Sequence, residues 1–278
     1  MDKGIYTALS GGLAKSHEIE LIANNIANAN TPGFKRDTAT FNEYLTEVRR
    51  PDSPEGLQRE TQTAALQDPR PQGDKSFVEM DGIYTVFRQG PLRRTNAPLD
   101  LALNGKGFFE VLTPQGVRYT RQGNFSLSKD GVLVTASGFP VLGRPEGAAP
   151  NAPVAGAPEA RTIRFGTAGG HIDISATGAI SQAGAPLGQL SVVEFQEAQW
   201  LEKVGNAFFR NTEEKNLKAG LAQETAVEQG MIELSNVNAV HEMTRLIEAT
   251  RAYESHLQAI KTFQEIDGRS VNEIARKY

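Results

Sequence analysis

Helical patterns of apolar residues occupy the two ends of this 278-residue chain, and a strand-like pattern fills its middle. At the N-terminus, apolar residues recur at helical spacing from Asp2 to about Asn30. Thr31-Pro32-Gly33 then predicts a stop, because proline disfavours helical geometry in the residue before it. Three glycines weaken this segment, each by about 1 kcal/mol relative to alanine. We therefore expect an N-terminal helix that is marginal until another surface covers it.

The C-terminal helical pattern is longer and more regular. Its apolar seam alternates steps of four and three residues and consists of Ala239, Met243, Leu246, Thr250, Tyr253, Leu257 and Ile260. A helix from about Val237 to Ile266, ended by Asp267-Gly268, would be roughly 45 Å long, which exceeds the usual globular length and favours a coiled coil. The i,i+3 pairs Glu242/Arg245 and Glu248/Arg251 are expected on a solvated face opposite the seam.

The middle of the chain predicts a β domain, because turn sequences separate short strand-like runs. Asp130-Gly131 predicts a hairpin, and Asn104-Gly105-Lys106-Gly107 predicts a tight turn because a strand rather than a helix follows it. Leu190 to Phe195 predicts one continuous strand. An Ala/Pro-rich tract at 144–160 is expected to form a loop inserted in this domain.

These patterns together predict an α+β fold, in which the N- and C-terminal helices pair as a coiled-coil core domain around a central, mostly antiparallel β domain. The predicted segments are an N-terminal assembly helix and exit turn at 1–36, an extended linker with four prolines at 37–76, the β domain at 77–220, and a C-terminal assembly helix at 221–278 that forms one discontinuous domain with 1–36. This organisation is typical of a filament subunit whose ends become ordered on polymerisation. An oligomeric adhesin and an intramolecular helix pair fit the same pattern.

Composition and motifs argue against catalytic and metal chemistry. The chain has no cysteine, which excludes disulfides, thiolate zinc sites and cysteine nucleophiles. His241-Glu242 begins like a helical zinc-binding motif, but Arg245 stands where the second histidine is required. The net charge of −4 disfavours a general electrostatic attraction to nucleic acid or anionic lipid. We expect no catalytic residues, no cofactor, no metal and no nucleic-acid partner.

The sequence offers neither a membrane span nor a secretory signal. No stretch approaches the roughly 18 consecutive apolar residues that a membrane helix needs. The N-terminus also lacks a basic region followed by an apolar block. We expect no membrane insertion, and a chain of this kind would leave the cytoplasm by a route that uses no cleaved signal.

Motifs in three regions of the chain resemble the signatures of the flagellar rod, hook and hook-associated protein family. They are ANNIANANTPGFKR at 23–36; LNGKGFF at 103–109 with YTRQGNF at 119–125 and GFPVLG at 138–143; and SNVNAV at 235–240 with RAYE at 251–254. The resemblance implies a structural, non-enzymatic subunit of the bacterial flagellar basal-body rod, the axial drive shaft, of either the proximal or the distal rod type. A soluble binding module or an enzyme built on the β domain is the alternative from another class.

The resemblance also implies partners and a location. The partners would be other copies of the chain, neighbouring rod proteins and the flagellar type III export apparatus. The location would be the basal-body rod where it crosses the periplasm, after export without signal cleavage. There, the terminal helices would form an inner coiled-coil tube that transmits torque, with the β domain outside.

Carried over position by position, the resemblance marks an assembly interface at both ends of the chain. It comprises Asn24, Asn25, Asn28, Pro32, Gly33 and Phe34 at the N-terminal end, and Asn236, Asn238, Met243, Leu246, Tyr253 and Leu257 at the C-terminal end. We expect the asparagines to supply hydrogen bonds in a crowded helix bundle and the apolar residues to supply its packing. Ordinary packing within one chain is the alternative for each residue.

Overall fold

The computed structural model describes residues 2–46, 75–145, 157–166, 169–205, 207–217 and 224–275. In these residues the chain forms two α-helices, one at each end, and seventeen β-strands between them, which confirms the predicted α+β class. The helices are α1 (Asp2–Ala27) and α2 (Ala239–Ala275).

Contacts divide the chain into two compact units. The helical unit comprises Met1–Ala23, Ala39–Ile83 and Val240–Tyr278, and the β unit comprises Asn24–Thr38 and Tyr84–Ala239. The domain limits inferred from the sequence, at 36, 76 and 220, stay predictions.

The two helices contact each other in the helical unit and run antiparallel there. A methyl group added at Gly4 would lie 2.9 Å from Phe263 Cζ, and one added at Gly11 would lie 2.7 Å from His256 Cε1. The two glycines are seven residues apart, and so are the two side chains that face them in the reverse order. The glycines that weaken α1 on its own therefore let side chains of α2 approach its backbone closely.

The buried face of α2 coincides only in part with the predicted apolar seam, in which Leu246, Tyr253 and Ile260 are half-buried. Ala249 is 4% exposed, whereas Met243 is 50% exposed and Leu257 is 39% exposed. The expectation that Glu242 lies on a solvated face is also wrong, because this side chain is fully buried.

A chain of charged groups explains the burial of Glu242. Arg245 Nη1 lies 3.5 Å from Glu242 Oε2, and Arg245 Nη2 donates to Glu18 Oε1 on α1 at 3.2 Å. Glu18 also accepts from Lys15 Nζ at 2.7 Å. The Glu242/Arg245 pair therefore lies beside α1 rather than in solvent, because Glu18 on α1 supplies a second carboxylate to Arg245.

Both helices end at residues other than those predicted. Asp267-Gly268 lies inside α2, which continues to Ala275. A single glycine costs only about 1 kcal/mol in a helix, and no proline follows to stop it. At the other end of the chain, α1 stops at Ala27 instead of about Asn30, and Thr31 N then donates to Asn28 O at 3.1 Å in a turn.

The strands are short, and each pair whose register is defined is antiparallel. They are β1 (Asp37–Thr46), β2 (Lys75–Thr85), β3 (Leu92–Arg94), β4 (Leu101–Asn104), β5 (Phe108–Thr113), β6 (Gly116–Thr120), β7 (Ser126–Leu127), β8 (Leu133–Val134), β9 (Gly143–Arg144), β10 (Ile172–Ile174), β11 (Ala179–Gln182), β12 (Ala185–Leu190), β13 (Val192–Val193), β14 (Leu201–Lys203), β15 (Phe208–Asn211), β16 (Ala226–Gln229) and β17 (Met231–Glu233).

The larger sheets of the β unit have the strand orders β13-β5-β6-β15-β14 and β10-β11-β12-β9. Two-stranded pairings join β16 to β4, β17 to β3, β7 to β8, and β1 to β2. The predicted hairpin at Asp130-Gly131 is confirmed between β7 and β8. The predicted tight turn after Asn104 is confirmed as well, and Gly105 in it has a φ of 139°.

The strand predicted from Leu190 to Phe195 divides at Ser191. β12 ends at Leu190 and pairs with β11 and β9, whereas Val192–Val193 pairs with β5 in the other large sheet. The chain therefore changes sheets at this serine, whose Oγ donates to Glu110 Oε2 at 2.5 Å. A continuous run of β-forming residues does not reveal such a change of partner.

Strands also occur on both sides of the predicted β domain. β16 and β17 lie after its predicted end at 220, and β17 runs up to Glu233, close to the start of α2. Residues 37–46 of the predicted linker form β1, and 75–76 begin β2. The rest of that linker, 47–74, lies outside the described residues, as do 146–156 of the predicted loop.

Two apolar clusters form the core of the β unit. The larger includes Leu101, Phe109, Leu133 and Val192 from different strands. The smaller is aromatic and consists of Phe108, Val193, Phe195, Leu201 and Phe209, with Phe87, Tyr119 and Leu217 packed against it.

Because of Tyr119, the β unit is expected to become less stable as the pH rises into the alkaline range. Burial, together with the nearby Glu110 carboxylate, raises the pKa of Tyr119 from 10.0 to about 12. The tyrosine in the unfolded chain therefore ionises first as the pH rises. Its stabilising contribution is complete below pH 10 and is lost between about pH 10 and 12, and it amounts to about 1–2 kcal/mol because the side chain keeps some exposure.

Tyr119→Phe removes this contribution and serves as the test. Urea unfolding followed by circular dichroism at about pH 9 and about pH 11.5 is expected to show a smaller alkaline loss of stability in Tyr119→Phe than in the wild type. Equal losses in the two proteins would contradict the assignment, because every other titrating group is common to both.

Candidate assembly site

Asn25 fixes the path of the chain as it leaves α1. Its side chain is fully buried. Its Nδ2 donates to Asp37 O at 2.8 Å, and its Oδ1 accepts from Asp37 N at 3.0 Å. These bonds reproduce the pair that an antiparallel strand would make with Asp37. The last turn of α1 is thus tied to the first residue of β1.

Asn28 closes the end of the same helix. Its Nδ2 donates to Asn24 O at 3.0 Å, and its Oδ1 accepts from Thr31 Oγ1 at 3.2 Å. Asn24 O also accepts from the backbone N of Asn28 at 3.2 Å, so Asn28 closes the last turn of the helix with both its backbone and its side chain. The Asn24 side chain is exposed, and Pro32 is half-buried in the turn that follows.

Gly33 lets the backbone pass close to another part of the β unit. Its φ is 67°, in the left-handed region that side chains disfavour. A methyl group here would lie 2.4 Å from the carbonyl carbon of Arg121. Gly33 N donates to Glu233 O at 2.8 Å, which connects the turn to the strand that precedes α2.

Lys203 covers the next residue, Phe34, which is buried. The Lys203 ammonium lies 3.7 Å from the centroid of the Phe34 ring and donates to Lys35 O at 2.8 Å and to Asp37 Oδ2 at 2.7 Å. Burial lowers the pKa of Lys203, and the Asp37 carboxylate opposes this effect. Lys203, the last residue of β14, thus holds the backbone that follows α1.

Asn236 meets this segment from the C-terminal side of the chain. Its Oδ1 accepts from Arg36 N at 2.8 Å, and its Nδ2 donates to Val86 O at 2.7 Å and to Arg88 O at 3.0 Å. Its backbone N–H donates to Phe34 O at 3.4 Å. The structure therefore brings together two of the residues marked from the sequence, Phe34 and Asn236, whereas the side chain of Asn238 is exposed.

Three charged residues lie beside these contacts between Asn236 and residues 34–36, and no pattern in the sequence predicts them. Lys35 Nζ donates to Glu233 Oε1 at 2.5 Å, and Arg121 Nη1 donates to Glu233 Oε2 at 3.2 Å. All three side chains are buried. Charged residues are normally expected at the surface, and Lys35 and Glu233 are 198 positions apart, so no local pattern connects them.

Each terminal helix carries an exposed apolar stripe on the side away from its partner helix. The α1 stripe consists of Tyr6, Leu9 and Leu13, and the α2 stripe consists of Val240, Met243, Ile247 and Leu257. At 100° per residue, the α1 stripe lies nearly opposite Gly4 and Gly11, and the α2 stripe is centred roughly 140° from the buried face. Of the other residues marked on α2, Leu246 and Tyr253 are half-buried.

Family models match the regions that carry these features. "Flagella basal body rod protein" matches residues 5–35, "Flagellar hook protein FlgE/F/G D1 domain" matches 102–182, and "Flagellar basal body rod FlgEFG protein C-terminal" matches 228–273. The chain is 32% identical over 276 residues to the flagellar basal-body rod protein FlgF of Caulobacter vibrioides, with 99% of each chain covered. The chain belongs to the flagellar basal-body rod protein family.

Within this rod family, the chain is similar to both FlgF and FlgG. It is 33% identical to the FlgG of Caulobacter vibrioides, covering 95% of this chain and 96% of the relative. It is 30% identical to the FlgG of Bacillus subtilis, covering 98% and 99%. The chain is thus FlgF-like, with FlgG as a close alternative.

The rod family is a structural family of the flagellar basal body and not an enzymatic one. A cavity of about 330 Å³ lies against β10, β11 and β12, and Asp173 supplies the one carboxylate in its lining. The described residues contain no group of three or more histidine, aspartate and glutamate side chains placed to hold a metal ion. No described helix is long and apolar enough to cross a membrane.

Proposed function

We propose that this rod-family chain is a structural subunit that polymerises through its α1 stripe and its α2 stripe. The observation that carries the proposal is the two-sided character of both helices. One side of each helix contacts the other helix, and the opposite side leaves apolar residues in solvent. Exposed apolar patches of this kind mark surfaces that bind other proteins.

Burial of the stripes provides a driving force for assembly. Fully burying one large apolar side chain contributes about 1.5–3 kcal/mol, so a half-exposed one contributes roughly 1 kcal/mol. The seven stripe residues thus contribute several kcal/mol per subunit, which would also stabilise the glycine-weakened α1. Head-to-tail contacts between non-identical surfaces generate a helical array instead of a closed pair. The neighbours are other copies of the chain and neighbouring rod proteins.

The twelve marked residues fall into three groups in this proposal. Met243 and Leu257 contact neighbouring subunits, with Leu246 and Tyr253 at the edge of the same surface. Asn25, Asn28, Pro32, Gly33, Phe34 and Asn236 hold together, within the β unit, the segments that follow α1 and precede α2. Asn24 and Asn238 lie on the exposed surface near the helix ends. In the assembled subunit, the terminal helices pair as a coiled-coil core domain.

The proposal also includes the route by which the chain reaches the rod. The chain is exported unfolded through the flagellar type III apparatus without signal cleavage, and it joins the rod where the rod crosses the periplasm, there to transmit torque. A marginal α1 supports passage as an unfolded chain. The absence of cysteine supports folding in an oxidising space, where wrong disulfides would otherwise form.

Substitutions on the α2 stripe test the proposal. Met243→Asp and Leu257→Asp are expected to abolish swimming in soft agar and to prevent recovery of the subunit in purified basal bodies, because each places a charge in an apolar contact. The matched control is Ser255→Asp, since this residue is exposed and lies two positions from Leu257 on a different side of the helix, outside the stripe. All three purified variants should keep wild-type circular dichroism and a thermal midpoint within a few degrees of the wild type.

Two results would contradict the proposal. One is wild-type swimming by both stripe variants. The other is a loss of swimming by Ser255→Asp equal to that of Leu257→Asp, since the effect would then not depend on the stripe.

A further inference from the structure

The Glu233 carboxylate is the centre of contacts between two distant parts of the chain. The post-α1 segment is Gly33–Asp37, and the pre-α2 segment is Glu233–Asn236. Glu233 Oε1 accepts from Lys35 Nζ at 2.5 Å and from Gly90 N at 2.8 Å, and Glu233 Oε2 accepts from Arg121 Nη1 at 3.2 Å. One buried carboxylate thus connects three separate stretches of backbone in the β unit.

The charges in this cluster depend on Glu233. Burial lowers the pKa values of Lys35 and Arg121, and the Glu233 carboxylate is the main opposing influence on both. Removing one partner of a buried ion pair is strongly destabilising, because the remaining charge has no solvation. Neutralising Glu233 would leave two cations buried close to each other.

The backbone around Glu233 ties the same two segments together. Gly33 N donates to Glu233 O at 2.8 Å, and Arg36 N donates to Asn236 Oδ1 at 2.8 Å. The two apolar clusters of the β unit, as far as the described residues define them, contain no residue of either segment. Apart from the buried Phe34 ring, which the Lys203 ammonium covers, the described contacts between the segments are polar and ionic. The core beside them is held by apolar contacts.

We infer that Glu233 locks the post-α1 segment to the pre-α2 segment, and that this junction opens as a unit while the two apolar clusters stay folded. Polar contacts that join residues 198 positions apart carry a loop-closure cost, and Phe34 is the one large apolar side chain that the two segments bury fully. Opening of such a unit should therefore cost less free energy than unfolding of the apolar core. Glu233 thereby holds together, within the β unit, the backbone that follows α1 and the backbone that precedes α2.

Trypsin reports on this lock, because its cleavage sites Lys35 and Arg36 lie within the post-α1 segment. The full-length chain, Glu233→Gln and the control Glu202→Gln are digested, and cleavage after residues 35 and 36 is timed by mass spectrometry. Glu202 pairs with Arg210 in the same unit, and both side chains are about half exposed. We expect cleavage at these two bonds to be at least about tenfold faster in Glu233→Gln. The control should stay within about twofold of the wild type.

The near-ultraviolet circular dichroism of the aromatic cluster separates local opening from unfolding. Unchanged spectra with faster cleavage support the lock. Equal cleavage rates in the two variants would overturn it.

Hydrogen exchange on the wild-type chain gives a second test, which applies even if Glu233→Gln does not fold. The amides of Gly33, Arg36 and Gly90 should exchange together and at least about tenfold faster than those of β5. Exchange of all these amides at the rate of the β5 amides would overturn the inference, because the junction would then open only when the whole unit unfolds.

Discussion

Gly33→Ala is expected to lower the free energy of unfolding of the β unit by about 2–5 kcal/mol and to abolish swimming. A side chain in the left-handed region costs about 1–2 kcal/mol. The added methyl group would also lie 2.4 Å from the Arg121 carbonyl carbon. A backbone atom cannot rotate away as a side chain can, and overpacking of this kind adds typically about 1–3 kcal/mol.

Gly138→Ala is the matched control for this prediction. Gly138 has a φ of 82°, but no atom lies within 4 Å of the position that its methyl group would take. It should therefore lose only the backbone cost of about 1–2 kcal/mol. Urea unfolding followed by circular dichroism measures both variants. Equal losses at the two positions would mean that the contact with Arg121 contributes nothing.

Phe209→Ala is the second substitution with a large expected effect. Phe209 is fully buried, and its ring centroid lies 5.2 Å from that of Phe87 and 5.7 Å from that of Phe108. Truncating a buried phenylalanine to alanine costs about 3–5 kcal/mol, because the contacts are lost and a cavity remains. The midpoint of thermal unfolding should fall accordingly, and the subunit should accumulate poorly in cells.

Trp200→Ala is the control for Phe209→Ala, because it also removes an aromatic side chain, but one that is about half exposed. Trp200 lies close in sequence to the same sheet, but its side chain is 46% exposed. Its loss should cost less than about 1 kcal/mol. Guanidinium unfolding followed by circular dichroism compares the two variants, and a loss of less than about 1 kcal/mol in Phe209→Ala would contradict the assigned packing.

Local signals in the sequence predict the elements of this fold well. The periodicity near Leu9 and Leu246 predicts both helices, and Asp130-Gly131 predicts the hairpin that it forms. The exact ends are harder to predict, because a glycine such as Gly268 is tolerated in a helix when no proline follows. The change of sheet at Ser191 was not predictable, since it depends on which distant strand lies beside each half of the run.

The assembly site is only partly predictable, for a different physical reason. An apolar pattern shows where large apolar residues lie on a helix, and on α2 these residues include Met243 and Leu257 in the exposed stripe. The face that contacts α1 instead combines Phe263 with polar residues such as Arg245 and His256, which carry no apolar signal. The Lys35–Glu233 pair has no signal at all, because it joins charged residues from opposite ends of the chain.

The two-sided helices have a consequence for genetic suppression. A damaging change on the face that joins Gly11 to His256 alters one chain, so second-site revertants should arise within the same gene. Under the proposed assembly, a damaging change in the α1 or α2 stripe alters a contact between chains. Revertants of such changes should therefore also map to genes that encode neighbouring rod proteins, and the distribution of suppressors would assign each helix face to its partner.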